Sequence, residues 1–131
     1  MERIKKGDKQ KALSLIKTAE EDLKFTLTLS VSKESSNTII RNIYESFRMM
    51  GESILVNKGI KFSDHVQSIN ELLKLKIQTS RPLNLLDSLR KLRHKINYNG
   101  HLSTIEESKE AISIARSLFD DLKKEVEKII N

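Results

Sequence analysis

Apolar side chains recur at every third or fourth residue along most of this chain, a spacing that places them on one face of an α-helix. The clearest example is the stripe formed by Leu85, Leu89, Leu92 and Ile96. The chain has one proline and four glycines in 131 residues, so few positions interrupt helices. With a hydrophobic content of 37%, it also has enough apolar material for a core. These features predict an all-α fold rather than one built from many short strands.

Capping and turn-forming residues divide the chain into five predicted helices. Gly59 and Gly100 suit the left-handed position that ends a helix, and Pro82 suits a first helical turn. The predicted helices run from Asp8 to about Ser30, from Thr38 to Asn57, from after Ser63 to about Gln78, from Arg81 to Gly100, and from a capping box at Ser103–Glu106 to the C-terminus. We therefore expect one domain over residues 1–131, an antiparallel up-and-down bundle of four main helices and one short helix.

The composition excludes some kinds of binding site and indicates where in the cell the protein is found. The chain lacks cysteine, which excludes disulfides and thiolate metal sites, and its three histidines are too dispersed to predict a metal or a cofactor. Met1–Asp8 has no apolar segment after its charges, and no apolar run approaches the ~20 residues that span a bilayer. We expect a soluble cytoplasmic protein without a membrane partner. The net charge of +6 suits RNA, nucleotides or an acidic partner.

The end of the fourth predicted helix carries a cluster of positive charges. No acidic residue lies between Ser88 and Glu106 to offset them. Arginine can bind a phosphate through two parallel hydrogen bonds. Arg90, Arg93 and Asn97 share one helical stripe. The predicted phosphate-binding residues are Arg90, Lys91, Arg93, Lys95 and Asn97.

His94 and Tyr98 lie one helical turn apart beside this cluster. A histidine can take or give a proton near neutral pH, so the group could assist attack by an RNA 2′-hydroxyl. The competing interpretation is structural, because cations at a helix C-terminus interact favourably with the helix dipole. Arg48 and Glu52, spaced i,i+4, are interpreted either as a polar pair that faces this cluster or as an ordinary surface ion pair.

The segment from Arg93 to Tyr98 resembles the signature of HEPN domains, which are small all-α bundles. Their motif is an arginine, usually followed by asparagine or another polar residue, and then a histidine after four to six intervening residues. The Tyr44–Leu55 pattern and the long last helix also fit this family. The resemblance implies a homodimer with a metal-independent ribonuclease site at the two-fold axis. It also implies a minimal nucleotidyltransferase as partner, often in a toxin–antitoxin pair.

This chain departs from the motif, because Tyr98 stands where the catalytic histidine belongs and Gly100 stands where some members carry a modified tyrosine. Tyrosine ionises only near pH ~10 in water and is a poor base at neutral pH. The first hypothesis is therefore an RNA- or nucleotide-binding or partner-regulated module without efficient catalysis. The alternatives are a ribonuclease that uses Arg93 with His94 or Tyr98, and a non-catalytic helical interaction protein.

Overall fold

The structure is a computed structural model that describes residues 3–4, 6–61 and 65–131. The prediction of an all-α fold is confirmed for these residues. Two short strands, which were not predicted, pair antiparallel with Arg3 opposite Lys61. The elements are β1 (Arg3–Ile4), α1 (Lys9–Thr26), α2 (Lys33–Lys58), β2 (Ile60–Lys61), α3 (His65–Leu73), α4 (Leu85–Asn99) and α5 (Ile105–Ile130).

Helix α2 is the central element, because it packs against α1, α3, α4 and α5. It buries Ile39, Ile40, Ile43, Tyr44 and Phe47, among others, along its length. Phe47 meets Phe119 of α5 edge-on, with 5.6 Å between the ring centroids. Burying a large apolar side chain contributes about 1.5–3 kcal/mol, so this aliphatic and aromatic core holds α4 and α5 against α2.

Helix α2 begins at Lys33, so the prediction of a start near Thr38 is wrong by five residues. Ser32 caps the helix, since its side chain accepts from the Ser35 backbone while Ser35 accepts from the Ser32 backbone. Ser36, which precedes the predicted start, is buried inside α2. Its hydroxyl donates to the Thr104 carbonyl at 2.8 Å, which joins the start of α2 to the start of α5.

The capping box of α5 is Thr104 with Glu107, one residue later than predicted. Ser103 cannot serve as the cap because its hydroxyl contacts Ser36 at 2.6 Å and also bonds to Asn37. The predicted continuation of α5 to the C-terminus is confirmed, since the helix ends at Ile130. These contacts fix the short connection that follows α4 and hence the end of α4.

Both predicted glycine caps are confirmed: Gly59 (φ 75°) ends α2 and Gly100 (φ 67°) ends α4. Three further predicted boundaries shift. Helix α3 ends at Leu73 rather than near Gln78. Helix α1 ends at Thr26 rather than near Ser30, and Leu29 packs on the core from the turn that follows. Helix α4 begins at Leu85 after a tight turn in which the Leu85 N–H donates to the Pro82 carbonyl at 3.2 Å.

Helix α3 crosses α2 at very short range. It opens at His65, in agreement with a start after Ser63, a residue that lies outside the described part. A Cβ atom placed on Gly51 would lie 2.0 Å from the Ser68 carbonyl oxygen, so only glycine permits this approach. Glu71 of α3 is buried and pairs with Lys58 at 3.0 Å and with Lys74 at 2.7 Å.

Candidate functional site

Helix α4 divides its basic residues between two sides. Arg93 and Asn97 contact side chains of α2. Lys91 and Lys95 line a groove against α5 instead. The predicted phosphate-binding residues therefore do not form one surface, because residues on opposite sides of a helix point apart.

Arg93 rests on two tyrosine rings. Its guanidinium carbon lies 5.2 Å from the centroid of the Tyr44 ring and 6.0 Å from that of Tyr98. A cation over an aromatic face gains about 0.5–2 kcal/mol, more when it is shielded from water. Within the described chain, no carboxylate forms an ion pair with Arg93. The arginine is thus held in place while its charge remains available.

Tyr44 supplies a buried floor for this arginine. The residue is 1% exposed, and its hydroxyl has no hydrogen-bond partner among the described residues. Burial raises the pKa of Tyr44, while the charges of Arg93, Arg48 and Arg90 act in the opposite direction. Three arginines from two helices therefore lie close enough to one buried ring to influence its ionisation.

Arg41 of α2 completes the contact with α4. Its Nε donates to Oδ1 of Asn97 at 2.7 Å, and the arginine is exposed to solvent. Arg41 lies one turn before Tyr44, just as Arg93 lies one turn before Asn97, a spacing of about 5–6 Å between side chains. The Arg41–Asn97 and Tyr44–Arg93 contacts therefore lie about one turn apart along the helix pair, with one arginine on each helix. We refer to Arg41, Tyr44, Arg93 and Asn97 as the α2–α4 seam.

The sequence-based prediction missed Arg41 and Tyr44 as residues of this site. A possible signal was the i,i+3 spacing of Arg41 and Tyr44, which places an exposed arginine beside an aromatic ring of the buried stripe of α2. Nothing in the sequence, however, indicates which helix this stripe meets. The contact between α2 and α4 is set by tertiary packing.

Two of the predicted cations are offset by an acid. Arg90 donates from Nε to Oδ1 of Asp87 at 2.9 Å, and the Lys91 ammonium lies 3.4 Å from Oδ2. The hydrogen bond from Arg90 holds the pKa of Asp87 below its usual value. The expectation of unopposed charge is wrong for both cations, because Asp87 lies one helical turn before them, just outside the segment that lacks acids.

His94 and Tyr98 form an exposed ring pair beside the α2–α4 seam. Their ring centroids are 4.6 Å apart with an interplanar angle of 40°. Tyr98 is 67% exposed, a large fraction for an aromatic side chain. The structure therefore brings all three predicted catalytic residues, Arg93, His94 and Tyr98, into one neighbourhood.

Arg48 and Glu52 form the predicted ion pair, with 2.8 Å between Nη1 and Oε1. Glu45 also binds the Arg48 guanidinium, and its hydrogen bonds are the main reason that the pKa of Arg48 lies above its ordinary value. Both acids belong to α2, so they neutralise Arg48 within its own helix. Arg48 supports the surroundings of Tyr44 but offers less free charge than Arg41 or Arg93.

Metal-binding clusters and membrane-spanning helices are absent from the described residues. Across residues 6–61 and 66–131, no group of three or more histidine, aspartate or glutamate side chains is placed to hold a metal ion. No helix in the described ranges combines the length and the apolar character needed to cross a membrane. Comparison with protein-family models, with curated proteins and with solved structures gives no match.

Proposed function

We propose that this chain is a HEPN-like module, an antiparallel bundle that binds RNA or nucleotide phosphates at the α2–α4 seam without efficient catalysis. The observation that carries the proposal is Arg93, a guanidinium held by Tyr44 without an acid partner among the described residues. Arginines tied up by carboxylates, such as Arg48, have already lost most of their attraction for a phosphate. Arg93 has not.

The second arginine of the seam strengthens this proposal. Asn97 accepts from the Nε of Arg41 and so leaves the terminal guanidinium nitrogens of that side chain for a ligand. Two arginines on facing helices can bind two oxygens of one phosphate or two successive phosphates of a strand.

The exposed ring pair adds a preference for unpaired nucleotides. Bases that are free of a duplex stack on exposed aromatic side chains, a contact worth about 1–3 kcal/mol per base. Tyr98 lies near Arg93 and packs at a tilt against His94, so a base on this surface would sit next to the phosphate-binding arginine. We therefore favour a single strand or a nucleotide over double-stranded RNA.

Direct binding tests the proposal. Fluorescence anisotropy with a short labelled single-stranded RNA, at low salt in EDTA, would compare wild type with Arg93→Ala and Arg41→Ala. We expect each change to weaken binding about tenfold, the effect of one lost charge-assisted hydrogen bond. Arg116→Ala is the matched control, since it removes an exposed arginine from α5. Equal losses in the control and the seam variants would overturn the proposal.

Ribonuclease activity is the second candidate, favoured by the contact of Arg93 with Tyr98 and of Tyr98 with His94. In that reaction the 2′-hydroxyl loses its proton to a base and attacks phosphorus. The 5′-oxygen then leaves with a proton, which yields a 2′,3′-cyclic phosphate. Cyclic phosphate ends produced by wild type but not by Arg93→Ala would support this candidate. Intact RNA with both proteins would argue against the ribonuclease and in favour of the binding module.

The family resemblance adds two protein partners to the proposal, a second copy of the chain and a minimal nucleotidyltransferase. Co-purification of such a nucleotidyltransferase with the tagged chain from its native cells is the expected result. If it is absent from those preparations, the proposed partner is wrong and only the proposal of RNA or nucleotide binding stands. The phosphate-binding measurement above does not depend on either partner.

A further inference from the structure

A pocket beside the end of α2 is lined by three lysines that come from three segments of the chain. Lys6 precedes α1, Lys11 belongs to α1 and Lys61 belongs to β2. The pocket has a volume of about 490 Å³, and Val56 and Ile60 form its apolar side. Pockets of roughly 300–1,000 Å³ are typical of sites for small molecules or for parts of larger ones. We refer to this site as the lysine pocket.

Backbone contacts hold the walls of the lysine pocket together. The Asp8 N–H donates to the Val56 carbonyl at 3.1 Å. Gly7 packs so closely on α2 that a Cβ atom there would collide with the carbonyl oxygen of Asn57. The pairing of β1 with β2 also holds the start of the chain beside Lys61. The lysines are therefore brought together by fixed segments of backbone.

The positive charges of the lysine pocket are not offset within the chain. None of its three lysines forms an ion pair among the described residues. Both acids of the pocket are already used, since Asp8 accepts from the Lys11 backbone N–H at 2.9 Å and Glu52 pairs with Arg48 at 2.8 Å. Three ammonium groups against the carboxylate of Asp8 leave an excess of two positive charges. Like charges held close together repel, so an anion would stabilise this arrangement.

This excess charge suits one kind of phosphate. An internal phosphodiester of RNA carries a single negative charge, whereas a phosphate monoester carries about −1.5 to −2 at pH 7. Lysine binds phosphate as a point charge, so the number of charges matters more than their exact directions. A phosphate monoester, such as the one at the end of an RNA strand, therefore fits the lysine pocket better than an internal phosphate does.

The lysine pocket and the α2–α4 seam lie along one face of α2. Residues recur on this face every three or four positions: Arg41, Glu45, Arg48, Glu52 and Val56. Arg41 belongs to the seam and Val56 to the pocket, which places the two sites about 22 Å apart along the helix. Sites for single strands hold about 4–16 nucleotides, so one strand can reach both. Between them Glu45 and Glu52 bind Arg48, so its charge is not available to an internal phosphate.

We propose that the lysine pocket binds the terminal phosphate of the RNA strand that lies on the α2–α4 seam. The ammonium groups of Lys6, Lys11 and Lys61 donate to the phosphate oxygens. The inference rests on the proposed function for the body of the strand, and it names the preferred ligand as RNA with a phosphorylated end. The seam accepts any single strand, whereas the lysine pocket distinguishes a terminal phosphate from a terminal hydroxyl.

Three forms of one short RNA with an internal fluorescent label test the inference by anisotropy. One form carries a 5′-phosphate, one a 3′-phosphate and one a hydroxyl at both ends. One of the two phosphorylated forms should bind the wild type about three- to tenfold more tightly than the hydroxyl form. Lys11→Ala/Lys61→Ala should lose this gain. Lys17→Ala/Lys124→Ala, the matched control, removes two exposed lysines outside the pocket and should keep it.

Titration with inorganic phosphate locates the site independently of RNA. The backbone amide NMR signals of Lys11 and Lys61 should shift at lower phosphate concentrations than those of Lys17 and Lys124. Equal shifts at all four lysines would overturn the inference, because they would indicate an unspecific attraction of phosphate to surface lysines. Circular dichroism checks that the variants fold.

The inference and the proposed function fail in different ways. The gain from a terminal phosphate is a ratio measured within one protein, so it reports on the lysine pocket. No gain at either end, a gain that survives in Lys11→Ala/Lys61→Ala, or an equal loss in the control would overturn the inference. Equal RNA affinity of wild type and Arg93→Ala would instead count against the proposed function.

Discussion

The guanidinium carbon of Arg93 lies 5.2 Å from the centroid of the Tyr44 ring, so a cation of α4 rests on a buried aromatic residue of α2. A ring face attracts a cation without carrying a negative charge of its own. The contact therefore orders Arg93 but does not neutralise it. An ordered and unneutralised arginine loses little conformational entropy when it binds a phosphate.

The hydroxyl of Tyr44 should be dispensable, whereas its ring should not. Because the hydroxyl has no partner among the described residues, Tyr44→Phe should leave the free energy of unfolding unchanged or raise it by up to about 1 kcal/mol. RNA affinity should stay at the wild-type value. Urea denaturation and anisotropy measure the two effects.

Tyr44→Leu is the companion change, since it removes the ring but keeps an apolar side chain. RNA binding should weaken because Arg93 loses its platform. A large loss of stability in Tyr44→Phe would instead show that the hydroxyl makes a hydrogen bond, and it would contradict our account of the seam.

The close crossing of α2 and α3 should tolerate no side chain at Gly51. A Cβ atom there would lie 2.0 Å from the Ser68 carbonyl oxygen, so Gly51→Ala must push the two helices apart. We expect the free energy of unfolding to fall by about 1–3 kcal/mol, even though alanine favours helix by up to about 1 kcal/mol. Thr38→Ala, an exposed change in the same helix, should stay within about 0.5 kcal/mol of wild type in urea denaturation.

Glu71 should make stability depend on acid pH. Burial acts to raise the pKa of Glu71, but hydrogen bonds from Lys74 and Lys58 outweigh burial, and the folded-state pKa lies below the usual value of 4.5. A carboxyl group with a lowered pKa stabilises the folded state at every pH above its usual pKa. This stabilisation is lost as the pH falls through the folded-state pKa. The free energy of unfolding of the wild type should therefore fall between about pH 7 and about pH 3. In Glu71→Gln, which lacks the titrating group, this fall should be smaller.

The double variant Lys58→Ala/Lys74→Ala provides the control for this account. Without the two lysines only burial remains, and burial raises the pKa of a carboxyl group. The contribution of Glu71 should then change sign, so that it destabilises the folded state as the pH rises. An acid dependence identical to that of wild type would show that other carboxylates cause it.

Much of the fold could be predicted because it depends on local patterns. The left-handed caps at Gly59 and Gly100 follow from residue type, and the structure confirms them. Of the predicted stripe of α4, Leu89 and Ile96 are buried, but Leu86 is buried where Leu85 was expected. The start of α2 could not be predicted in this way. Ser36 resembles a loop residue until its contacts with Thr104 and Ser103 are known, and those residues lie far away in the sequence.

The same distinction holds for the candidate site. The basic end of α4 is visible in the sequence, and Arg93, His94 and Tyr98 do lie together. Which of its cations are free depends on neighbours in space. Asp87 neutralises Arg90, and Arg41 joins the site from another helix. The first point follows from the i,i+3 spacing of Asp87 and Arg90 within α4, whereas tertiary packing, which residue spacing does not encode, decides the second.

The salt dependence of RNA binding tests the central claim most directly. For single strands, the logarithm of the binding constant falls with the logarithm of salt concentration by about 0.7 for each phosphate contact. If Arg41 and Arg93 each bind a phosphate, the slope for Arg41→Ala/Arg93→Ala should be smaller than that of wild type by about 1.4. Arg116→Ala/Lys124→Ala, which removes the same charge from α5, should keep the wild-type slope. Equal slopes for wild type and the seam variant would contradict phosphate binding at the α2–α4 seam.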